Sequence, residues 1–465
     1  MNIHLVMEEQ AHGVPSARAE LLGAPWPSGA VRLADGDVLF GGVRLTEMAD
    51  AYGTPVYLLD ESEVRRRAAA YRTALPDASV HYAAKAFLCA ALTRWLDEEG
   101  LGLDVCSENE LGLALAARFP AERILLHGNA KSEAELSLAV RRGVGRIVVD
   151  SFTEIAHLAA LADPARPQGV YVRVVPGIEA GHHSAVRTGV EDQQFGFSIS
   201  DGSAVEAAAR VLAQPHLWLD GLHCHLGSQI SEIDPYLEAV DRLVDLLAEL
   251  RDRFGCVLPE LDLGGGHAIA YRPGEPSFAP AEFAAKVLPR LRGRCAEKRL
   301  PVPRLAIEPG RAVVGPAGVA LYRVLAVKKL PGGMRIVAVD GGMSDNPRPA
   351  LYGARYSAYL VGRASEEPAE RARLVGRHCE AGDVLVPDAL LPADTRPGDL
   401  IAVPAAGAYQ ISMASGYNLV GRAPLVAVHE GEDRVLLRRE SLEDLLGREP
   451  GGVQFRAGTP TGTPK

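Results

Sequence analysis

The chain has 465 residues with 49 Lys+Arg against 59 Asp+Glu, 47% hydrophobic and 23% charged. That is apolar material for a large core and too little charge for a disordered polymer. At about 100–200 residues per domain, a barrel of roughly 250 residues plus a smaller partner domain fits the length. The net charge of −10 argues against nucleic acid as a partner, since that surface rewards clustered Lys and Arg whose counterions leave on contact.

Six cysteines, Cys89, Cys106, Cys224, Cys256, Cys295 and Cys379, show no C-x-x-C pair and no metal-ligand spacing, so no metal and no disulfide framework are expected. The opening MNIHLVMEEQAHG has no basic region followed by an apolar one, and no run approaches the roughly 18 apolar residues of a membrane span. A cytoplasmic protein without a membrane partner is the expectation.

In chain order, residues 1–30 mix Pro, Gly and Ala without period and read as a flexible leader. Residues 31–55 hold VRLADGDVLFGGVRL, a D-G turn between strand-like runs. From residue 56 to 312 strand, loop and helix alternate. VHYAAK, LGLDVCS, RILLHGN, RIVVDS, VYVRVVPG, LDGLHCHLGS, LPELDLGGG and PRLAIEPGR make eight buried strands, separated mostly by helical patterns such as DPYLEAVDRLVDLLAELRDRFG. Eight such units predict an α/β chain built on a (β/α)8 TIM-like barrel. Over 313–447 the alternation stops. AGVALYRVLAVKKL, MRIVAVDGG, GDLIAVPAAGAY and APLVAVHEG predict a mainly antiparallel β domain, which the hairpin of 31–45 is expected to join. Residues 448–465 read as a disordered tail.

Polar residues recur at the ends of the predicted barrel strands: Lys85, Asp104, His127, Asp150, Arg173, His223 with His225, Asp262 and Glu308. In a barrel these ends ring the face where active sites are built. The bland alternative, that each caps the next helix, is kept for Asp150 and Asp262. Gly264, Gly265 and Gly266 end the seventh strand, where missing Cβ atoms let backbone N–H groups approach an anion, and EPGR ends the eighth. Barrel enzymes frequently hold a phosphate there. Lys85, in the same mouth, is expected to lose its proton easily in a crowded site and attack an aldehyde. Phosphate site and lysine together predict pyridoxal 5'-phosphate held as a Schiff base, with Glu308 against the pyridinium nitrogen.

HYAAKAF, GLDVCSENEL, HGNAKS, HCHLGSQ, LDLGGG, EPGR, VDGGMSDNPRPALY, GRHCEAGD and GAYQISMASGYN stand in the order and spacing of the diaminopimelate decarboxylases. The chain resembles that family, within the alanine-racemase-like (fold type III) pyridoxal phosphate enzymes, over roughly residues 31–445. The resemblance implies decarboxylation of meso-2,6-diaminopimelate to L-lysine, as part of lysine biosynthesis. It also implies a homodimer whose active sites lie between the barrel of one chain and the β domain of the other.

It implies these roles as well. Lys85 is the Schiff-base lysine and His225 stacks on the ring. Ser228, Gly266, Glu308, Gly310 and Arg311 hold the phosphate and ring nitrogen, and Asp104 and Arg173 organise the lysine and ring hydroxyl. The partner's Cys379 returns a proton after carbon dioxide leaves. Arg311, Arg348, Tyr352, Glu380 and Tyr409 meet the far end of the substrate, Tyr409 touching the cofactor too. The chain departs from the family pattern at Ala130, His267, Ala381 and Gly416. These positions motivate an alternative substrate among ornithine, lysine, arginine or glutamate derivatives; a dead interaction homologue and a racemase are further alternatives.

Overall fold

The computed structural model describes residues 19–179 and 194–450. The first eighteen residues of the predicted leader and residues 451–465 of the predicted tail lie outside them. The rest of the leader packs: β1 (Glu20–Leu21) pairs antiparallel with β2 (Val31–Arg32), and Trp26 between them is only 4% exposed. Burying one indole outweighs the poor local pattern that made the segment read as a leader.

β2, β3 (Val38–Phe40) and β4 (Val43–Arg44) continue this small antiparallel sheet. The hairpin was expected to pair with the C-terminal sheet; instead it forms its own sheet and packs on the face of the C-terminal one, tied to it by Arg32 Nη1 donating to Leu360 O at 3.3 Å and Gly431 N to Gly41 O at 2.9 Å. Val38, Phe40 and Val43 share a core with Val319, Leu321, Val426 and Val428. The N-terminal strand that enters that sheet is β5 (Val56–Asp60), which had been assigned to the start of the barrel.

Eight parallel strands close the barrel in the order β6 (Ser79–Ala83), β7 (Gly102–Val105), β8 (Ile124–Leu126), β9 (Arg146–Val149), β10 (Gln168–Val175), β12 (Leu217–His223), β13 (Glu260–Asp262) and β14 (Arg304–Ile307), with β14 returning to β6. A short β11 (Phe197–Ser198) adds to the upper end of β10. These are the eight strands predicted from the sequence. The strands are buried on both faces, which is why they read as apolar runs. Register sets the site: Arg173 lies level with His223, and His223 with Asp262. At the other end Tyr171 packs with Leu125 and Val148 and donates to Glu260, closing the barrel floor.

Helices follow strands through side-chain caps. Asp60 accepts from Glu63 N, Ser107 from Glu110 N, Ser132 from Glu135 N in a capping box, and Ser151 from Glu154 N. Each cap is worth about 1 kcal/mol. Asp150 is therefore not a cap.

The second sheet holds β15 (Gly318–Lys329), β16 (Arg335–Val339), β17 (Tyr359–Val361), β18 (Ala369–Val375), β19 (Val384–Pro392), β20 (Leu400–Pro404), β21 (Leu425–His429) and β22 (Glu432–Leu437). Its main path runs β19-β18-β16-β15-β5-β21-β22, mostly antiparallel, with β20 on β15 and β17 on β20. Among the described residues no helix is long and apolar enough to cross a membrane.

Candidate active site

A cavity of about 870 Å³ opens at the C-terminal ends of the barrel strands. Lys85, Arg173, His225, Ser228, Gly266, Glu308, Gly310, Arg311, Arg348, Tyr352 and Tyr409 line it. Asp104 lies beside them, its Oδ2 3.8 Å from Lys85 Nζ. Strand ends supply the first half of this set. The loops of the second sheet supply Arg348, Tyr352 and Tyr409 from the same chain. Tyr409 reaches the barrel because its N–H donates to Ala86 O at 2.8 Å, next to Lys85.

Lys85 does not lose its proton easily in the protein alone. Burial lowers its pKa, but the negative charge of Asp104, with Tyr409 and Glu308, outweighs burial and raises it above the ordinary lysine value. The expected easy loss of a proton is thus reversed, because neighbouring carboxylates favour the ammonium more than desolvation disfavours it.

Glu308 sits between two imidazoles, Oε1 2.6 Å from His127 Nε2 and Oε2 3.3 Å from His223 Nε2. Burial works against its charge, yet His127 and His223 hold it well below the usual carboxylate range. His223 is itself pushed down to about 4 by burial; its neutral ring then serves Glu308 as an N–H donor, a tautomer inferred from the contact. Behind Glu308, burial and that neighbouring charge raise Asp262 well above the carboxylate range. Only one of two buried carboxyls keeps its charge.

The glycine run divides. Gly264 N donates to Asp262 Oδ1 at 2.7 Å and Gly265 N to His225 Nδ1 at 3.2 Å. Those amides serve the fold, and of the three only Gly266 lines the cavity. A Cβ on Gly265 would stand 2.2 Å from Glu308 O, so side-chain absence there brings two strand-end loops together. Asp150 accepts from Gly196 N at 2.8 Å and approaches Arg173 at 3.5 Å.

At the outer wall Arg311 donates to Ser228 Oγ at 2.8 Å and to the Tyr271 hydroxyl at 2.6 Å. Arg348 donates to the same hydroxyl at 2.8 Å and also to Tyr356. Neither tyrosine was singled out from the sequence. His127 was noted only as a strand end. The chain by itself does not bring Cys379 and Glu380 to the cavity: both are exposed on the loop joining β18 to β19. Of the departures, Ala130, Ala381 and Gly416 are exposed and outside the lining. His267 lines it, stacked 3.8 Å from Phe278 and bonded to Tyr71 at 2.8 Å.

The residues fit pyridoxal 5'-phosphate. Among the described residues, buried Asp104 Oδ2, His127 Nε2 and Glu308 Oε1 have no hydrogen-bond partner of good geometry, capacity suited to a ring with a nitrogen and a hydroxyl. Ser228 and Arg311 offer donors of the kind a phosphate needs. His127, His223 and Glu308 also place ligand atoms within 4.8 Å of one another, a span a metal ion could bridge.

Residues 61–315 match the family described as "Pyridoxal-dependent decarboxylase, pyridoxal binding domain". A diaminopimelate decarboxylase of Actinosynnema pretiosum subsp. auranticum is 56% identical over 425 residues, 91% of this chain and 95% of that one. One from Mycobacterium tuberculosis is 48% identical over 437 residues, 91% and 97% of the two chains. Among solved structures, the diaminopimelate decarboxylase of M. jannaschii in complex with L-lysine superposes with a TM-score of 0.84 at 29% identity, covering 90% of this chain and 98% of that one. The Helicobacter pylori enzyme complexed with L-lysine gives 0.80 at 29%, covering 88% and 100%. Barrel, second sheet, lysine-bearing cavity and these likenesses agree: the chain belongs to the diaminopimelate decarboxylases, a family of pyridoxal-dependent decarboxylases.

Proposed function

We propose that this chain decarboxylates meso-2,6-diaminopimelate to L-lysine and carbon dioxide, using pyridoxal 5'-phosphate. The observation that carries the reading is the lining of one cavity. It holds both Lys85 with the imidazole-held Glu308 and two guanidinium groups, Arg311 and Arg348, that share the Tyr271 hydroxyl. When bound, the cofactor supplies an electron sink for the pair left by departing carbon dioxide.

Lys85 would anchor the cofactor, and Asp104 and Arg173 would orient the lysine and the ring hydroxyl. Glu308, kept anionic by His127 and His223, would accept from the ring nitrogen, and His225 would support the ring. Ser228, Gly266, Gly310 and Arg311 would hold the phosphate. Arg311, Arg348, Tyr352 and Tyr409 hold the substrate's far carboxylate, since guanidinium forks match carboxylate geometry.

The remaining roles fall to a second chain in a homodimer with shared sites. The partner's Cys379 delivers the proton that replaces carbon dioxide, and the partner's Glu380 pairs with the distal ammonium. Support comes from their exposure and from their surroundings. His378 contacts Asn418 at 2.9 Å and the Tyr417 ring at 5.3 Å, and the adjoining Leu419 is 74% exposed. Apolar residues left open beside reactive ones mark a surface that another protein covers. The cytoplasm suits six free cysteines.

The test is carbon dioxide release from holoenzyme given diaminopimelate, lysine, ornithine, arginine and glutamate separately. Turnover of diaminopimelate above the others is expected; clear turnover of another acid without it refutes the reading. Lys85→Ala is expected to lose both turnover and the visible absorption of bound cofactor.

A further inference from the structure

Tyr271 is 5% exposed, lines the cavity, and follows the glycine run on the loop after β13. Its hydroxyl accepts from Arg311 at 2.6 Å and from Arg348 at 2.8 Å. One neutral oxygen therefore joins two cations that reach the cavity from separate segments, the turn after β14 and the helix Arg348–Tyr352.

The ring is clamped. It meets Tyr356 edge-on at 4.9 Å and lies 4.9 Å from the Arg348 guanidinium carbon, and the Tyr271 backbone N–H donates to Glu275 Oε2 at 3.0 Å. Glu275 also accepts from Arg272 N at 3.2 Å and pairs with the Arg272 side chain at 2.7 Å. Arg311 is steadied on its other side by Ser228 and by the Tyr409 ring 4.5 Å away.

Two adjacent guanidinium groups repel, and each long side chain has many rotamers; a shared acceptor removes both problems before a ligand arrives. Among the described residues, the side-chain hydrogen bonds of Arg348 all run through one terminal nitrogen, which leaves the rest of its fork for a ligand. A carboxylate is a stronger acceptor than a phenol. The arms are thus set in place without being filled. Burial works to raise the pKa of the Tyr271 phenol, yet Arg311 and Arg348 together outweigh it and hold it below the ordinary tyrosine value, as an oxygen accepting from both should be.

We propose that Tyr271 is a positioning residue that holds Arg311 and Arg348 together for the substrate's distal carboxylate, and thereby favours ligands that carry one over ligands that lack it. This rests on the diaminopimelate reading. Removing carbon dioxide from one end of that substrate leaves L-lysine with the other end's carboxylate, whereas cadaverine lacks it.

The experiment compares wild-type and Tyr271→Phe holoenzymes, matched in cofactor absorbance, for diaminopimelate turnover and for inhibition by L-lysine and cadaverine. In the variant KM and the L-lysine inhibition constant are expected to rise about 10-fold, while kcat and cadaverine inhibition stay within about threefold. Loss of kcat and of both inhibitors together assigns Tyr271 a merely structural role, and no change in L-lysine inhibition makes it irrelevant to the arginines; either overturns the proposal alone. Absence of diaminopimelate turnover in the wild type overturns the substrate reading and the proposal with it.

Discussion

Glu308 carries negative charge where burial alone would remove it, and two imidazoles are what keep it there. An amide of the same shape cannot hold a proton on a ring nitrogen. Glu308→Gln is therefore expected to lower kcat by about 100-fold or more while cofactor absorbance persists, checked by steady-state rates on spectrally matched holoenzyme. His267 makes a different prediction. Burial pushes it down to about 3, as burial lowers His81 and His223 to about 4. All three stay neutral in the folded chain and take up protons near pH 6.5 once unfolded. The unfolded state thus binds more protons in acid, and stability falls as pH drops below 6.5. His267→Leu removes one of these groups. The stability lost between pH 7 and pH 5 in urea unfolding is expected to shrink by about 2 kcal/mol. An unchanged gap would show that His267 does not stay neutral when buried.

At the scale of elements, the barrel was legible because parallel strands buried on both faces read as apolar runs, each ending in a polar residue. Lys85, Arg173, His225 and Glu308 come together for that reason alone. β5 was misplaced because five buried residues in a row do not reveal which sheet takes their hydrogen bonds; here β15 and β21 do. Residues 19–30 were missed because a single indole, not a periodic pattern, fixes them. Trp26→Ala is expected to cost about 3–5 kcal/mol of stability while leaving kcat unchanged at 25 °C, measured by denaturant unfolding beside turnover. Gly264 and Gly265 looked like anion donors, yet their amides face Asp262 and His225, and a strand-end glycine alone does not tell the two uses apart. Gly265→Ala, forced against Glu308 O, is expected to abolish cofactor absorbance. Tyr271 was invisible for a related reason: a tyrosine between alanines and a proline-glycine turn reads as packing until two arginines from distant segments are seen on its hydroxyl.

At the scale of the molecule, each chain builds most of a cavity and leaves Cys379 and Glu380 outside it, exposed on the β18–β19 loop. The overall charge of −10 says nothing about the substrate's distal carboxylate, which our reading assigns to Arg311 and Arg348. The central claim is that decarboxylation occurs where the Lys85 of one chain meets the Cys379 of another. Mixing inactive Lys85→Ala with inactive Cys379→Ala, under conditions that let subunits exchange, tests it directly. Half of the random dimers are then mixed, each with one site keeping both residues, so diaminopimelate decarboxylation is expected to recover to about a quarter of the wild-type rate. Two active parents, or a mixture as inactive as its parents despite demonstrated exchange, would contradict the account.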